Sequence, residues 1–490
     1  LSFTTVGDSL GREIKGKHFS DNDEKVFAER LRNETKILMG LFQNNSFEKF
    51  ETPMCGLEIE AWLVDQDFLP SPVAEPFLND LSDPLVVPEI SKFNFEINTD
   101  PLPLQGNVFN HFHQNIEDTW KKIQLSAKEY NSRALSIGSL PTLRKNMLSL
   151  DHLYPNKRYF ALNKRILDFR RENEFKLEIK GREEISESFK SIMLEAAATS
   201  FQIHLQVPQE KARDFYNCSI LASPFMAAIC ANSPFLFGKD LWSETRIPIF
   251  EQSICTKNYK RKEGRWATRV TLGNGYVKES LFELFLDNLD GYPPLLPELL
   301  DDEPSRLAHL RLHNGTIWRW NRPILGFNNE GVPHLRIEHR VPPSGPTTTD
   351  MVANMAFYIG LTHFLVDHDT PLWDEIPFET ARENFYGACK NGLSAQIKWR
   401  GKEINIQKAM LDIFIPGAKN ALLKLGVHRH CLERYFDDVL VPRALAGQNG
   451  SSWQQAFIST HGHRYQELLE EYYSYQEQDI PVHNWKCPTL

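Results

Sequence analysis

At 490 residues, with 41% hydrophobic and 24% charged side chains, the chain has the composition of a globular protein and not of a disordered or fibrous one. A formal net charge of −9 argues against a nucleic-acid-binding surface, although a local basic pocket for phosphate is compatible with it. Seven scattered cysteines without a Cys-x-x-Cys pair argue against a disulfide framework or a zinc–thiolate site, and no apolar run is long enough for a membrane span. The N-terminal LSFTTVGDSLGREIKGK lacks the apolar centre of a secretory leader. The expectation is a cytoplasmic protein with reduced thiols, a monomer or homodimer, acting on small molecules with neither nucleic acid nor membrane as partner.

Residues 20–43 open with helix-capping chemistry, and Val26, Leu31, Ile37, Leu38 and Leu41 then recur over helical turns, which predicts one amphipathic helix in an N-terminal segment spanning 1–50. From 51 to 345 short alternating strands, proline-rich loops and interspersed helices predict a catalytic sheet region. Within it, HNGTIWRWNRP (313–323) predicts an Asn-Gly turn followed by a strand with Trp318 and Trp320 on one face, a pattern more typical of core than of a ligand platform. YPNKRYFALNKR (154–165) predicts a charged helix. From 346 to 490 helical periods dominate: Val352, Met355, Ala356 and Ile359 form a stripe behind a cap at Asp350, and NIQKAMLDIFI and HGHRYQELLEEYYSYQ are two further helices. No repeat or low-complexity linker separates these parts. The prediction is an α+β fold, an antiparallel sheet with a helical C-terminal part packed on the same domain.

Four of the strands share an unusual pattern. Residues two apart on a strand share a face, so in CGLEIEAWLVD (55–65) Leu57 and Ile59 look one way and Glu58 and Glu60 the other. FNFEIN (93–98) sets Phe93, Phe95 and Ile97 against Asn94, Glu96 and Asn98. FQIHLQV (201–207) sets four apolar side chains against Gln202, His204 and Gln206, and HLRIEHRV (334–341) sets Leu335, Ile337 and Val341 against Arg336, Glu338 and Arg340. Any one of these polar faces is compatible with water. Together they differ from a solvated surface, which favours threonine, lysine and serine. In one sheet they would gather four glutamates, a histidine and two arginines.

Carboxylates at i and i+2 lie about 6.6 Å apart, and at an effective dielectric of about 20 such a pair repels by roughly 2.5 kcal/mol. Bound cations reverse that cost, and hard oxygen ligands suit Mg²⁺ or Mn²⁺. Metals on a carboxylate-lined face commonly serve phosphate chemistry, with nearby arginine stabilising a transferred phosphoryl group or an acyl phosphate. Neither a phosphate-binding Gly-x-x-x-x-Gly-Lys-Ser/Thr loop nor a dinucleotide-binding Gly-x-Gly-x-x-Gly after a strand is present, so a nucleotide would be held chiefly through metals.

The motifs GLEIE, FEINTDPLPL, YPNKRYFALNKR, FQIHLQV, ANSPFLFGKDLWSETR, HNGTIWRWNRP, LRIEHR and AGQNGSSWQ, in this order over roughly residues 50–460, resemble the glutamate–cysteine ligase family, in particular the branch of plant-type and proteobacterial enzymes and bacterial carboxylate–amine ligases. The resemblance implies a glutamine synthetase-like fold, a curved antiparallel sheet forming a funnel for ATP and two or three Mg²⁺ ions. It implies Glu58, Glu60, Glu96, His204 and Glu338 as metal ligands, with histidine the least usual Mg²⁺ ligand among them. Glu338 and Arg340 would be the catalytic pair, and Arg246, Asn98, Arg336, Arg158 and Asn314 would bind substrate or phosphate. The implied reaction joins the γ-carboxylate of L-glutamate to the amine of L-cysteine through a γ-glutamyl phosphate. Open alternatives are a ligase with another amine acceptor, a metal- or carboxylate-dependent hydrolase such as a two-carboxylate glycosidase, and a non-catalytic binding protein.

Overall fold

The first helix begins where its capping chemistry lies. Ser20 accepts a hydrogen bond from the Asp23 N–H while the Asp23 carboxylate accepts from the Ser20 N–H, so α1 (Asp21–Gln43) starts on a reciprocal cap and buries Phe27, Leu31 and Leu38. The computed structural model describes residue 14 and residues 19–170, 174–256 and 268–486. The N-terminal stretch considered for a leader, Ile14 apart, and Cys487 lie outside them; the other six cysteines are free thiols.

The alternating segments become β1 (Met54–Val64), β2 (Val86–Pro88), β3 (Asn94–Asn98), β4 (Leu102–Pro103), β5 (Arg133–Leu135), β6 (Phe201–Val207), β7 (Asn321–Phe327) and β8 (Pro333–His339). They form one sheet in the order β7–β8–β6–β1–β3–β2, with β4 and β5 also pairing β1. Every pairing within it is antiparallel, and the sheet curls into a half-barrel. Register between strands distant in sequence decides which polar side chains become neighbours. Glu60 lies opposite Glu96, Glu58 opposite both Asn98 and Gln202, and Glu338 opposite both His204 and Arg322.

The helices are α2 (Val108–Glu129), α3 (Lys157–Arg170), α4 (Ala212–Cys230), α5 (Arg246–Ser253), α6 (Ala308–Asn314), α7 (Thr348–Val366), α8 (Phe378–Asn391), α9 (Ile415–Lys424), α10 (Gly450–His461) and α11 (Tyr465–Glu477), with a short 3-10 turn at Ile192–Ala197. On the apolar side of the sheet, α4 contacts β7 and β8 while α7 contacts β6; α8 and α9 pack outside them. Every residue from Phe215 to Cys230 is buried, as is every residue from Thr348 to Thr362. The stripe expected on α7 is therefore only part of a helix buried all round, as a middle layer must be. Its cap is Thr347, whose hydroxyl accepts from the Asp350 N–H, and not Asp350 itself. The Asp350 carboxylate instead pairs with buried Arg443 at 2.7 Å and accepts from the Val482 N–H.

One contiguous cluster of buried side chains runs from Phe27 through the sheet to Trp485, so the helices after residue 346 share their core with the strands. The Asn-Gly pair at 314–315 closes α6 in right-handed backbone and does not form a hairpin turn. Among the described residues no helix is long and apolar enough to cross a membrane.

Candidate active site

The polar side of the half-barrel lines a cavity of about 860 Å³. Its sheet wall carries Glu58, Glu60, Glu96, Gln202, His204 and Glu338, with arginines 322, 336 and 340 among them. A helical wall adds Arg158, Tyr159, Leu162 and Ile166 from α3, Ile192 and Glu195 from the 3-10 turn, and Ile254 beyond α5. Both walls meet at the loop after β2, which contributes Glu89.

Two carboxylate clusters occupy the sheet wall. In the first, Glu58, His204 and Glu338 bring one ligand atom each within 4.8 Å of one another. Glu338 accepts a two-pronged contact from Arg322, 2.7 Å from Nε and 2.8 Å from a terminal nitrogen, and a third from Arg340 at 3.1 Å. Burial raises the carboxyl pKa of Glu338, but Arg322, Arg340 and His204 outweigh it and hold the group well below the usual range. Burial also opposes ionisation of Glu58, and the facing His204 brings its net shift downward. His204 Nε2 lies 3.0 Å from a Glu58 oxygen, while its Nδ1 accepts from Arg336 Nε at 3.2 Å. That bond places the neutral ring's proton on Nε2, aimed at Glu58. In this arrangement His204 orients a carboxylate; ligation through Nε2 would require the proton to leave that nitrogen.

The second cluster is Glu60, Glu89 and Glu96, again with ligand atoms within 4.8 Å. Glu60 is held by the Ser200 N–H at 2.6 Å, the Ser200 hydroxyl at 2.5 Å and Gln202 Nε2 at 3.2 Å. Asn98 Nδ2 donates to Glu96 at 2.9 Å. No arginine hydrogen-bonds this cluster among the described residues. Burial, then repulsion from Glu60, pushes the Glu89 carboxyl up to about 8, and burial with Glu58, Glu89 and Glu60 lifts Glu96 well above its ordinary value. A desolvated set of three carboxylates is ionised together only when cations are supplied, and all-oxygen donors fit Mg²⁺ or Mn²⁺. The first cluster, with one nitrogen and two carboxylates already neutralised in part by arginine, fits a second such ion less fully.

Of the residues singled out in the sequence, Glu58, Glu60, Glu96, Asn98, Arg158, His204, Arg336, Glu338 and Arg340 all line the cavity. Arg246 and Asn314 do not. The Arg246 guanidinium donates to the backbone carbonyls of Arg340 (3.0 Å) and Val341, pairs with Glu244 at 3.3 Å and lies over the Trp320 ring. It braces the end of β8 from behind, so substrate contact is corrected to a structural role. Asn314 Nδ2 donates to the Pro323 carbonyl and its Oδ1 accepts from Asn288, both at 2.9 Å, which ties α6 to β7. Trp318 and Trp320 part because the chain bends between Arg319 and Asn321: Trp320 is buried and donates to Glu251, while Trp318 lines the cavity. Three cavity residues carried no recognised signal: Glu89, Glu195 and Arg322. Arg322 alone was accessible to pattern, as a charge in a strand beside LRIEHR.

The chain matches glutamate-cysteine ligase family 2 (GCS2) over residues 54–430, a span that contains every cavity-lining residue. It belongs to that family. Among solved structures it is similar to a glutamate–cysteine ligase from Francisella tularensis determined in complex with AMP, with 13% identity, 91% of each chain covered and a TM-score of 0.56. It is also similar to a bifunctional glutathione synthetase from Pasteurella multocida, with 12% identity and a TM-score of 0.53, covering 91% of this chain and 54% of that one. No curated protein matches it significantly. The two structural likenesses show a shared fold; family membership makes this protein a carboxylate–amine ligase of the glutamate–cysteine ligase type.

Proposed function

We propose that the protein joins the γ-carboxylate of L-glutamate to the amine of L-cysteine at the expense of ATP, through a γ-glutamyl phosphate, to give γ-glutamylcysteine for glutathione synthesis. The observation that carries this reading is the interleaving of two carboxylate clusters with three arginines on one desolvated wall. A carboxylate and a triphosphate are both anionic, and phosphoryl transfer between them needs positive charge fixed at the meeting point.

Mg²⁺ or Mn²⁺ held by Glu60, Glu89 and Glu96, and by Glu58 and Glu338, would supply charge neutralisation on the phosphates. The chain's own groups do the rest. Arg340, held by Gln202 and Glu338, presents a fixed guanidinium to the transferred phosphoryl group and to the tetrahedral adduct that follows. Arg322 keeps Glu338 ionised, and Arg336 sets the His204 tautomer that orients Glu58. Enclosure by α3 and the 3-10 turn keeps water from the acyl phosphate.

A second reading is the same chemistry with a different amine acceptor. The helical wall is apolar at Leu162, Ile166, Ile192 and Ile254 and carries no group that selects a thiol. The deciding experiment is phosphate release with Mg²⁺, ATP and glutamate, with and without cysteine and then across a panel of amino acids. Stimulation by cysteine above all others supports the first reading, and stimulation by another amine supports the second. Glu58→Ala and Arg340→Ala should each abolish turnover while leaving the far-UV circular dichroism unchanged; wild-type rates in both would overturn the site.

A further inference from the structure

Two carboxylates of the cavity lining belong to neither cluster: Asp302, which is exposed, and Glu195, which is half-buried. Glu195 sits on the 3-10 turn Ile192–Ala197. The turn is fixed from both sides: the Ile192 N–H donates to Asn163 Oδ1 of α3 at 3.1 Å, and the turn packs against α5. α3 is in turn tied to the sheet edge by the Tyr159 hydroxyl, which donates to the Pro88 carbonyl at 3.0 Å. Glu195 is thus held at one place in the cavity by rigid neighbours.

No hydrogen bond reaches the Glu195 carboxylate among the described residues; the fields of Glu89, Glu60 and Arg340 act on it, and its own reaches the Tyr159 hydroxyl. Burial and the two neighbouring acids keep its carboxyl well above the ordinary carboxylate range. The same wall of the cavity presents Leu162, Ile166, Ile192 and Ile254, which offer dispersion contacts, together with Arg158 and Tyr159. A desolvated carboxylate with no protein partner, facing a substrate cavity, is complementary to a cation that arrives with the ligand.

We propose that Glu195 binds the ammonium group of the amine acceptor, and that the apolar side chains beside it receive the acceptor's side chain. The proposal rests on the ligase reading above and names a subsite within it: a primary amine on a carbon bearing an apolar or thiol-containing side chain. The donor's α-ammonium is the competing occupant. It stands three carbons from the carbon being activated, whereas the acceptor nitrogen has to come within about 3–3.5 Å of that carbon. Glu195 lines the same cavity as Arg340, Glu60 and Glu89, the groups at which the activated carbonyl is expected to lie, and so suits the nearer nitrogen.

The test is Glu195→Gln, which keeps shape and removes charge. Losing a charge-assisted contact in a desolvated site predicts a cysteine KM higher by about 10- to 100-fold, with the KM values for ATP and glutamate unchanged. Hydroxylamine, a neutral nucleophile at pH 7.5–8 (roughly, since its conjugate acid is far more acidic than an alkylammonium), needs no ammonium subsite. The ratio of hydroxamate formation to cysteine-dependent phosphate release therefore rises in the variant. A shift in the glutamate KM instead, or an unshifted cysteine KM, overturns the proposal. Glu195→Asp keeps the charge and retracts it, so a cysteine KM raised above wild type with the glutamate KM unchanged supports the proposal, an unshifted cysteine KM in a folded Gln protein overturns it, and a raised glutamate KM in the Asp protein does so should the Gln protein not fold. Wild-type protein with no ATP-dependent phosphate release would overturn the ligase reading itself; an active wild type with an unshifted variant overturns the subsite alone.

Discussion

Raising the pH of the metal-free protein from about 6.5 to about 8 should lower its stability, through carboxyl groups that the fold keeps protonated. Glu89 is pushed from an ordinary 4.5 up to about 8 by burial and by Glu60; burial with Glu58, Glu89 and Glu60 raises Glu96, burial with Glu89 and Glu60 raises Glu195, and burial alone lifts Glu251, outside the cavity, to about 7. An acid whose folded pKa exceeds its unfolded value holds a proton that the unfolded chain has already released. Its contribution to stability is full below about 4.5 and is lost as pH climbs toward the folded value, about 8 for Glu89. Buried histidines oppose this at lower pH: His313, His363 and His483 are depressed to about 4 and His334 to about 3. The unfolded chain still holds half of their protons at about 6.5, so each adds about 0.4 kcal/mol more as pH rises from there to 8. Across the window between about 6.5 and 8 these four histidines together offset about 1.6 kcal/mol of the loss from the acids. One retained proton costs about 1.4 kcal/mol per pH unit, so three retained protons cost about 6 kcal/mol across the window and the net fall in stability is about 4 kcal/mol. Urea unfolding at the two pH values in the presence of a chelator measures it, with Glu89→Gln flattening the slope. Saturating Mg²⁺ should stabilise more at the higher pH, because binding to ionised carboxylates releases the protons that the metal-free fold retains. Metal-free stability that stays level or rises across the window, with Glu89→Gln indistinguishable from wild type, would refute the reasoning, as would an equal Mg²⁺ effect at both values.

Arg322→Met should strand Glu338 with Arg340 as its one remaining hydrogen-bonded guanidinium and cost about 3–5 kcal/mol in denaturant unfolding. Pairing it with Glu338→Gln should recover part of that loss although both proteins are inactive; a single variant within 1 kcal/mol of wild type (roughly the worth of an exposed pair) would show that the contact is not formed. Arg246→Met should leave the KM values for ATP and glutamate unchanged and lower stability by about 2–4 kcal/mol, because two buried carbonyls lose a donor and buried Glu244 its ion-pair partner. A selective rise in either KM with unchanged stability would return Arg246 to the substrate site.

What was legible in the sequence was what period two controls. Glu58 with Glu60, Glu96 with Asn98, His204, and Arg336 with Glu338 and Arg340 each sit on a strand whose apolar partners declare the face, so their convergence needed only that the strands share a sheet. Asp350 was misread as a cap because Thr347, three residues earlier, offers the same chemistry, and the deciding fact is Arg443, nearly a hundred positions away. Arg246 and Asn314 were drawn toward the site by motifs that surround it. Their polar groups face backbone carbonyls, a preference that composition does not record.

Glu89, Glu195 and Arg322 mark a different limit. Glu89 follows a two-proline edge segment and Glu195 a 3-10 turn, where no periodicity says which way a side chain points. Arg322 is on a regular strand, yet it matters only because the β7–β8 register sets it against Glu338; a one-residue slip would turn it to the opposite face and leave Glu338 with Arg340 alone. The same register sets Gly326 against His334, where a Cβ on the glycine would lie 2.5 Å from the imidazole, so a side chain there would have to displace His334. Cross-strand register, fixed by packing at one end of a hairpin, thus determines the charge state of a carboxylate at the other.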